Sequence, residues 1–166
     1  METVMQLADR FGPGILVPLA CFAFVGILAQ WSLYDKCGLP GIDCLIPVKN
    51  VITFLKIMGR PALHAAYVII PPPLIMVSLL AFDAQFLQFG IAALIFIPWA
   101  YFMIKVYIEL CQCFGHYKMS DYIMCVAFNG FYVLHLGLSY SEKYKGPVYA
   151  DRHNAERESQ LESQLA

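Results

Sequence analysis

Lys105 and Glu109 are ionisable side chains near the end of a long apolar stretch, four residues apart and so one above the other on a helix face. Alone at the centre of a bilayer each would cost roughly 2.5–3.5 kcal/mol, and less toward the interface, where a lysine can snorkel to water. Two roles fit such a pair: a proton or ion relay, or an ion pair that fixes how the helix is rotated. The second is the leading expectation, because structural pairing explains the spacing without further parts. Asn129 and His135 lie in a later apolar run and would need interhelical hydrogen bonds, the simplest way to satisfy polar groups away from water. Asn50 lies in the first turn of a short helix described below, and Arg60 just beyond its end. They complete the set of structural or interaction positions.

The cysteines offer a second chemistry. Cys37, Cys44, Cys111 and Cys113, with His116, are expected at one face of the protein, which is a ligand set that a soft metal could use. Helix geometry argues against it, since residues two apart point about 200° apart, so Cys111 and Cys113 cannot share an ion while their helix continues. No metal is therefore expected, and no cofactor. Catalysis has no better footing. None of the serines sits in a nucleophile-elbow context, Asp83 and Asp121 lie at span ends rather than within spans, and His135 has no second histidine for a haem. The expectation is a protein that is not an enzyme.

The elements that would position these residues are set by composition. The chain has 166 residues, 60% apolar and 14% charged, with a net charge of −1, which is the composition of membrane spans rather than of a soluble domain. No basic stripe is present, so nucleic acid is not an expected partner. The expected fold is an all-α membrane protein of four transmembrane helices plus one interfacial amphipathic helix. An N-terminal segment (1–13) precedes a bundle (14–140), and a polar tail (141–166) follows. The first span covers 14–34 and is expected to be retained, because the acidic Glu2 and Asp9 do not suit the basic start of a cleaved signal peptide. The second starts near residue 62, the third covers 88–110 and the fourth 122–140. Each is long enough to cross about 30 Å of hydrocarbon.

Between the first two spans, Gly38, Pro40 and Gly41 favour a turn, Pro47 a helix start, and Gly59 with Pro61 a stop. Over 47–58, Val48, Val51, Ile52, Leu55 and Met58 fall on one face, with Lys49, Thr53 and Lys56 on another. This helix is too short to span. It is expected to lie in the interface with its apolar face among acyl chains, or else to pack on the bundle as an ordinary loop helix. Pro71, Pro72 and Pro73 interrupt the second span, which must kink or break there. A broken span would suit a transporter, and a kinked structural helix is the plainer expectation. Counting Lys and Arg at the span ends puts loops one and three inside and, with four spans, the tail outside. A re-entrant hairpin at the prolines would leave three spans and move the tail inside. The tail itself, with Leu161 and Leu165 four apart, reads either as disordered or as a docking segment.

Several stretches together resemble a small uncharacterised bacterial multi-pass membrane domain that in some proteins precedes a type I signal peptidase. They are YDKCGLPGIDCLIPVKN (34–50), the Gly59-Arg60-Pro61 stop, Phe114-Gly115-His116-Tyr117 and Tyr144-Lys145-Gly146-Pro147. The resemblance covers about residues 28–148 and rests on turn residues, so it bears on fold. The short tail departs from the fused form, and peptidase activity is not carried over. The resulting expectation is a non-catalytic accessory or assembly subunit of a larger complex in the bacterial inner membrane, with lipid and other membrane subunits as partners. The 12 Phe and 10 Tyr supply the rigid side chains that dominate interface cores. The alternatives are a small transporter or channel using Pro71–Pro73 and the Lys105/Glu109 pair, and a protein-export helper.

Overall fold

Pro47 opens a helix at its first position and Gly59 ends the same helix at φ +81, as the turn chemistry requires. Punctuation of this kind sets the element order. The computed structural model describes residues 16–81 and 85–165; the N-terminal segment and the turn at Asp83 lie outside them. The described chain forms α1 (Leu16–Lys36), α2 (Pro47–Ile57), α3 (Ala65–Ile69), α4 (Pro71–Ala81), α5 (Gln85–Cys113), α6 (Met119–Ala127), α7 (Asn129–Leu138) and α8 (Val148–Leu165). Short 3-10 turns at Gly41–Leu45 and Ala62–His64 join the first elements. Among the described residues there is no strand.

Two stretches are long and apolar enough to cross a membrane, Ala62–Leu80 and Phe86–Cys113, and a bent pair formed by α6 and α7 could make a third. The protein is thus an all-helical membrane protein. In the first stretch Ile70 keeps helical dihedrals (φ −75°, ψ −43°), so the prolines restart a helix within one span instead of reversing the chain. Prolines 71–73 carry no N–H and leave the carbonyls one turn earlier without their usual donors, and Leu74 N–H reaches the Ile70 carbonyl only at 3.4 Å.

A straight fourth span is not what forms. Phe128 leaves the helical region (φ −116°, ψ 40°), and the segments on either side meet at 113°. Both ends of the pair lie at the same end of the bundle: His116, ahead of α6, contacts Glu142, beyond α7, at 2.8 Å. The Lys36 ammonium donates to the Leu136 and Ser139 carbonyls at 2.8 and 2.6 Å and so satisfies the C-terminal end of α7. α1 and α7 approach closely, because a Cβ on Gly137 would come within 2.1 Å of the Ala29 carbonyl oxygen. The Ser32 hydroxyl reinforces the crossing with a 2.7 Å bond to the Gly137 carbonyl.

The short amphipathic helix also departs from expectation. α2 buries Thr53, Leu55 and Ile57, and Leu55 and Ile57 with Met58 join Leu33, Tyr34, Val106, Leu110, Phe114 and Leu136 in one core. Of its apolar face Leu55 and Met58 are buried in the bundle and Val51 and Ile52 are half-buried against it, while Val48 stays exposed. Thr53, assigned from its spacing to the polar face, is buried and donates to Asp43 at 2.8 Å. Lys49 and Lys56 stay exposed. The tail folds back to this same end. Tyr144 donates its hydroxyl to the Ile57 carbonyl (2.6 Å), Lys145 N–H bonds the Cys113 carbonyl (2.8 Å), and Tyr149 N–H bonds the Met58 carbonyl (3.0 Å). The tail thus starts beside loop one, whereas four crossings would have put it on the far side.

Candidate functional site

Gly59 lets the chain leave α2 sharply and lets Ala150 approach, since a Cβ there would sit 2.6 Å from that of Ala150. The turn aims Arg60 inward. Its guanidinium forms a two-pronged pair with Glu109 of α5, Nε to Oε2 at 2.6 Å and Nη2 to Oε1 at 2.8 Å. Both side chains are over nine-tenths buried, at 6% and 8% exposure. A planar fork matched to a carboxylate is the geometry that makes such burial tolerable. Phe102 and Tyr149 cover the guanidinium at 4.9 and 4.7 Å from Cζ to ring centroid. His64 closes the cage, with Nδ1 3.4 Å from Arg60 Nη1. One buried cluster thereby joins the start of the Ala62–Leu80 stretch, the C-terminal part of α5 and the tail.

The expected Lys105–Glu109 pair does not form. Both Glu109 oxygens are taken by Arg60, and the Lys105 ammonium instead lies 4.8 Å from the centre of the Tyr101 ring on the exposed side of α5. Asn50 sits at the junction of α1 and α2. Its Nδ2 donates to Gln30 Oε1 at 3.3 Å, while the Tyr34 hydroxyl meets both its side-chain and its backbone oxygen. His135 is exposed on α7 with its ring 6.3 Å from that of Tyr132, so it needs no buried partner. Asn129 opens α7, and its side chain lies outside the described residues.

The four cysteines of the expected ligand set do not gather at one point. Cys44 points to the Ile27 carbonyl (3.9 Å), Cys113 to that of Ile57 (3.8 Å) and Cys111 to that of Asp121 (4.0 Å), each thiol to a separate acceptor. Among the described residues no three His, Cys, Asp or Glu side chains converge on a point where a metal could sit. His116 lies between Glu142 and Asp121, at 2.8 and 3.4 Å, and links the loop after α5 to the start of α6 and the end of α7. Burial pushes the Cys37 thiol up to about 12, with the neighbouring Cys113 adding to the shift. Burial likewise raises the Tyr144 hydroxyl, which keeps it a donor to Ile57.

Two concavities flank these groups. One, of about 460 Å³, is an apolar cleft among α1, α2, α5 and α7, with Ile27, Phe54, Tyr107 and Val133 on its walls and Gln30 and Asn50 as its polar edge. The other, about 380 Å³, lies between α5 and α8 beside the Arg60–Glu109 pair. Tyr149, Phe102 and Arg152 were not singled out from the sequence. Tyr149 stands two residues after the Gly146-Pro147 turn, and only the packing of the tail shows what it covers.

A model of a family of unknown function (DUF5684) matches residues 42–147 of the chain. The matched stretch runs from the turn before α2, through the Arg60–Glu109 pair, to the turn that docks the tail. No curated protein and no solved structure matches the chain.

Proposed function

The chain belongs to this DUF5684 family of unknown function, and from that premise we propose that it is a non-catalytic accessory or assembly subunit of a larger complex in the bacterial inner membrane. The observation that carries this reading is α8. The helix runs for 18 residues, yet residues 151–163 are exposed all round, and only its first turns touch the bundle. A polar helix of this length is marginal on its own in water and gains little from packing here. A partner on the aqueous side would supply what the bundle does not.

The charge distribution favours three crossings, by the first apolar run expected from the sequence (14–34), by α3 with α4, and by α5, with α6 and α7 as a re-entrant pair in place of the further crossing that their composition would also allow. The ten Lys and Arg residues among the described ones then all fall at the end of the bundle that holds loop one and the tail. Under the positive-inside rule that end is cytoplasmic. Counted with four crossings, Lys143 and Lys145 opposed this rule; with three they obey it.

The test is co-purification. An N-terminally tagged full-length protein, extracted in mild detergent, is expected to bring down a protein in fixed proportion, and a variant lacking residues 154–166 is expected to lose it while keeping its thermal stability. A full-length protein that runs only as a free monomer would sink the proposal.

A further inference from the structure

The cleft between α5 and α8 has the chemistry of an anion site. The stretch Phe86–Cys113 has 28 residues and is about 42 Å long, some 12 Å more than the hydrocarbon core. The excess belongs at its C-terminal end. Phe86 and Phe89 are 93% and 65% exposed at the other end, where apolar rings suit lipid, and Lys105 and Glu109 are the only charges on the helix. Lys105 therefore lies at the boundary between acyl chains and headgroups, and the cleft beside it opens at headgroup level.

Within the cleft the cations outnumber the anions. Arg60 and Glu109 neutralise each other, which leaves Lys105 and Arg152 facing Glu156. Among the described residues neither Lys105 nor Arg152 forms an ion pair: the ammonium rests over Tyr101, and the Arg152 guanidinium donates to Gln112 Oε1 at 3.2 Å. Below Lys105 the exposed face of α5 is apolar, with Ile97 at 66%, Tyr101 at 60% and Ile104 at 41%. An anion held by the two cations at the top of such a face would carry hydrocarbon beneath it.

We infer that this cleft binds the phosphate group of an anionic phospholipid, between Lys105 and Arg152, with the acyl chains lying along Ile97, Tyr101 and Ile104. The inference uses the membrane setting and does not depend on the proposed protein partner. Glu156 faces the same space and weakens the binding, so its charge is a built-in opponent.

The test uses the full chain in mild detergent, with retained lipid counted by native mass spectrometry. Phosphatidylglycerol is expected to be retained in preference to phosphatidylcholine, with each lost cation costing about fivefold. Lys105→Ala and Arg152→Ala are expected to weaken retention by that factor. Lys105→Arg should restore it, Lys49→Ala outside the cleft should leave it unchanged, and Glu156→Gln should raise it. Equal retention of the two lipids, or undiminished phosphatidylglycerol on the Lys105→Ala/Arg152→Ala double variant, would overturn the site. Displacement of the lipid by millimolar inorganic phosphate would overturn the lipid assignment in favour of a soluble phosphate.

Discussion

Removing one partner of the Arg60–Glu109 pair leaves the other buried charge without compensation, which costs about 3–5 kcal/mol, whereas replacing both with apolar residues of similar size is often neutral or stabilising. Arg60→Ala or Glu109→Gln should therefore destabilise the protein strongly, and Arg60→Met with Glu109→Leu should recover most of the loss in thermal unfolding in detergent. Equal stability of the single variants and the native protein would contradict this account. Both residues stand out in the sequence, but their spacing points Glu109 to Lys105, whereas Arg60 takes both of its oxygens. Lys105 satisfies the charge arithmetic within one helix; the choice of Arg60 depends on a turn 49 residues away in the chain. Cys37 carries a prediction of its own. Its thiol is held up at about 12 by burial, so the folded state keeps a proton that the unfolded chain releases near pH 9. Stability should fall as pH rises from 9 toward 12, and alkylation of Cys37 should keep increasing about tenfold per pH unit beyond pH 9. A rate that levels off near pH 9 would show an ordinary, solvated thiol.

The two long spans could be read from apolar run length because a single segment can satisfy all its own backbone groups in lipid only as a helix. Run length does not tell a straight span from a bent pair of the same composition. The signal for the bend was present in Asn129-Gly130, a turn-favouring dipeptide at the centre of the fourth run. The amphipathic face of α2 was legible too. Its destination was not, because the same stripe serves acyl chains or a protein core equally well. At the crossing of α1 and α7, Gly137→Ala places a methyl against the Ala29 carbonyl, which is backbone and cannot swing aside. The expected cost is about 1–3 kcal/mol, the range for forced overpacking. Gly130→Ala, with open space around it, serves as the control for helix propensity. Equal melting temperatures for the two variants would mean that the helices separate freely.

Across the whole molecule, the tail, loop one and the loop after α5 share one end, tied together by the Tyr144, Lys145 and Tyr149 bonds. Single cysteines placed at Lys49 and Glu158 should therefore react with an impermeant maleimide from the same side of sealed vesicles. Opposite sidedness would restore the four-crossing topology. The side of the tail was hidden in the sequence because each added or removed crossing flips it, so a single misjudged segment reverses the answer.

The cage around Arg60 draws its parts from distant points of the chain, with Glu109 on α5 and Tyr149 at the start of α8. At about 5–20 residues per second of synthesis, the guanidinium waits several seconds for its counter-ion, and longer for its second aromatic lid. During biogenesis the nascent protein thus carries an unneutralised cation at the mouth of the Ala62–Leu80 stretch. The closing of that cage therefore records that translation has passed residue 149.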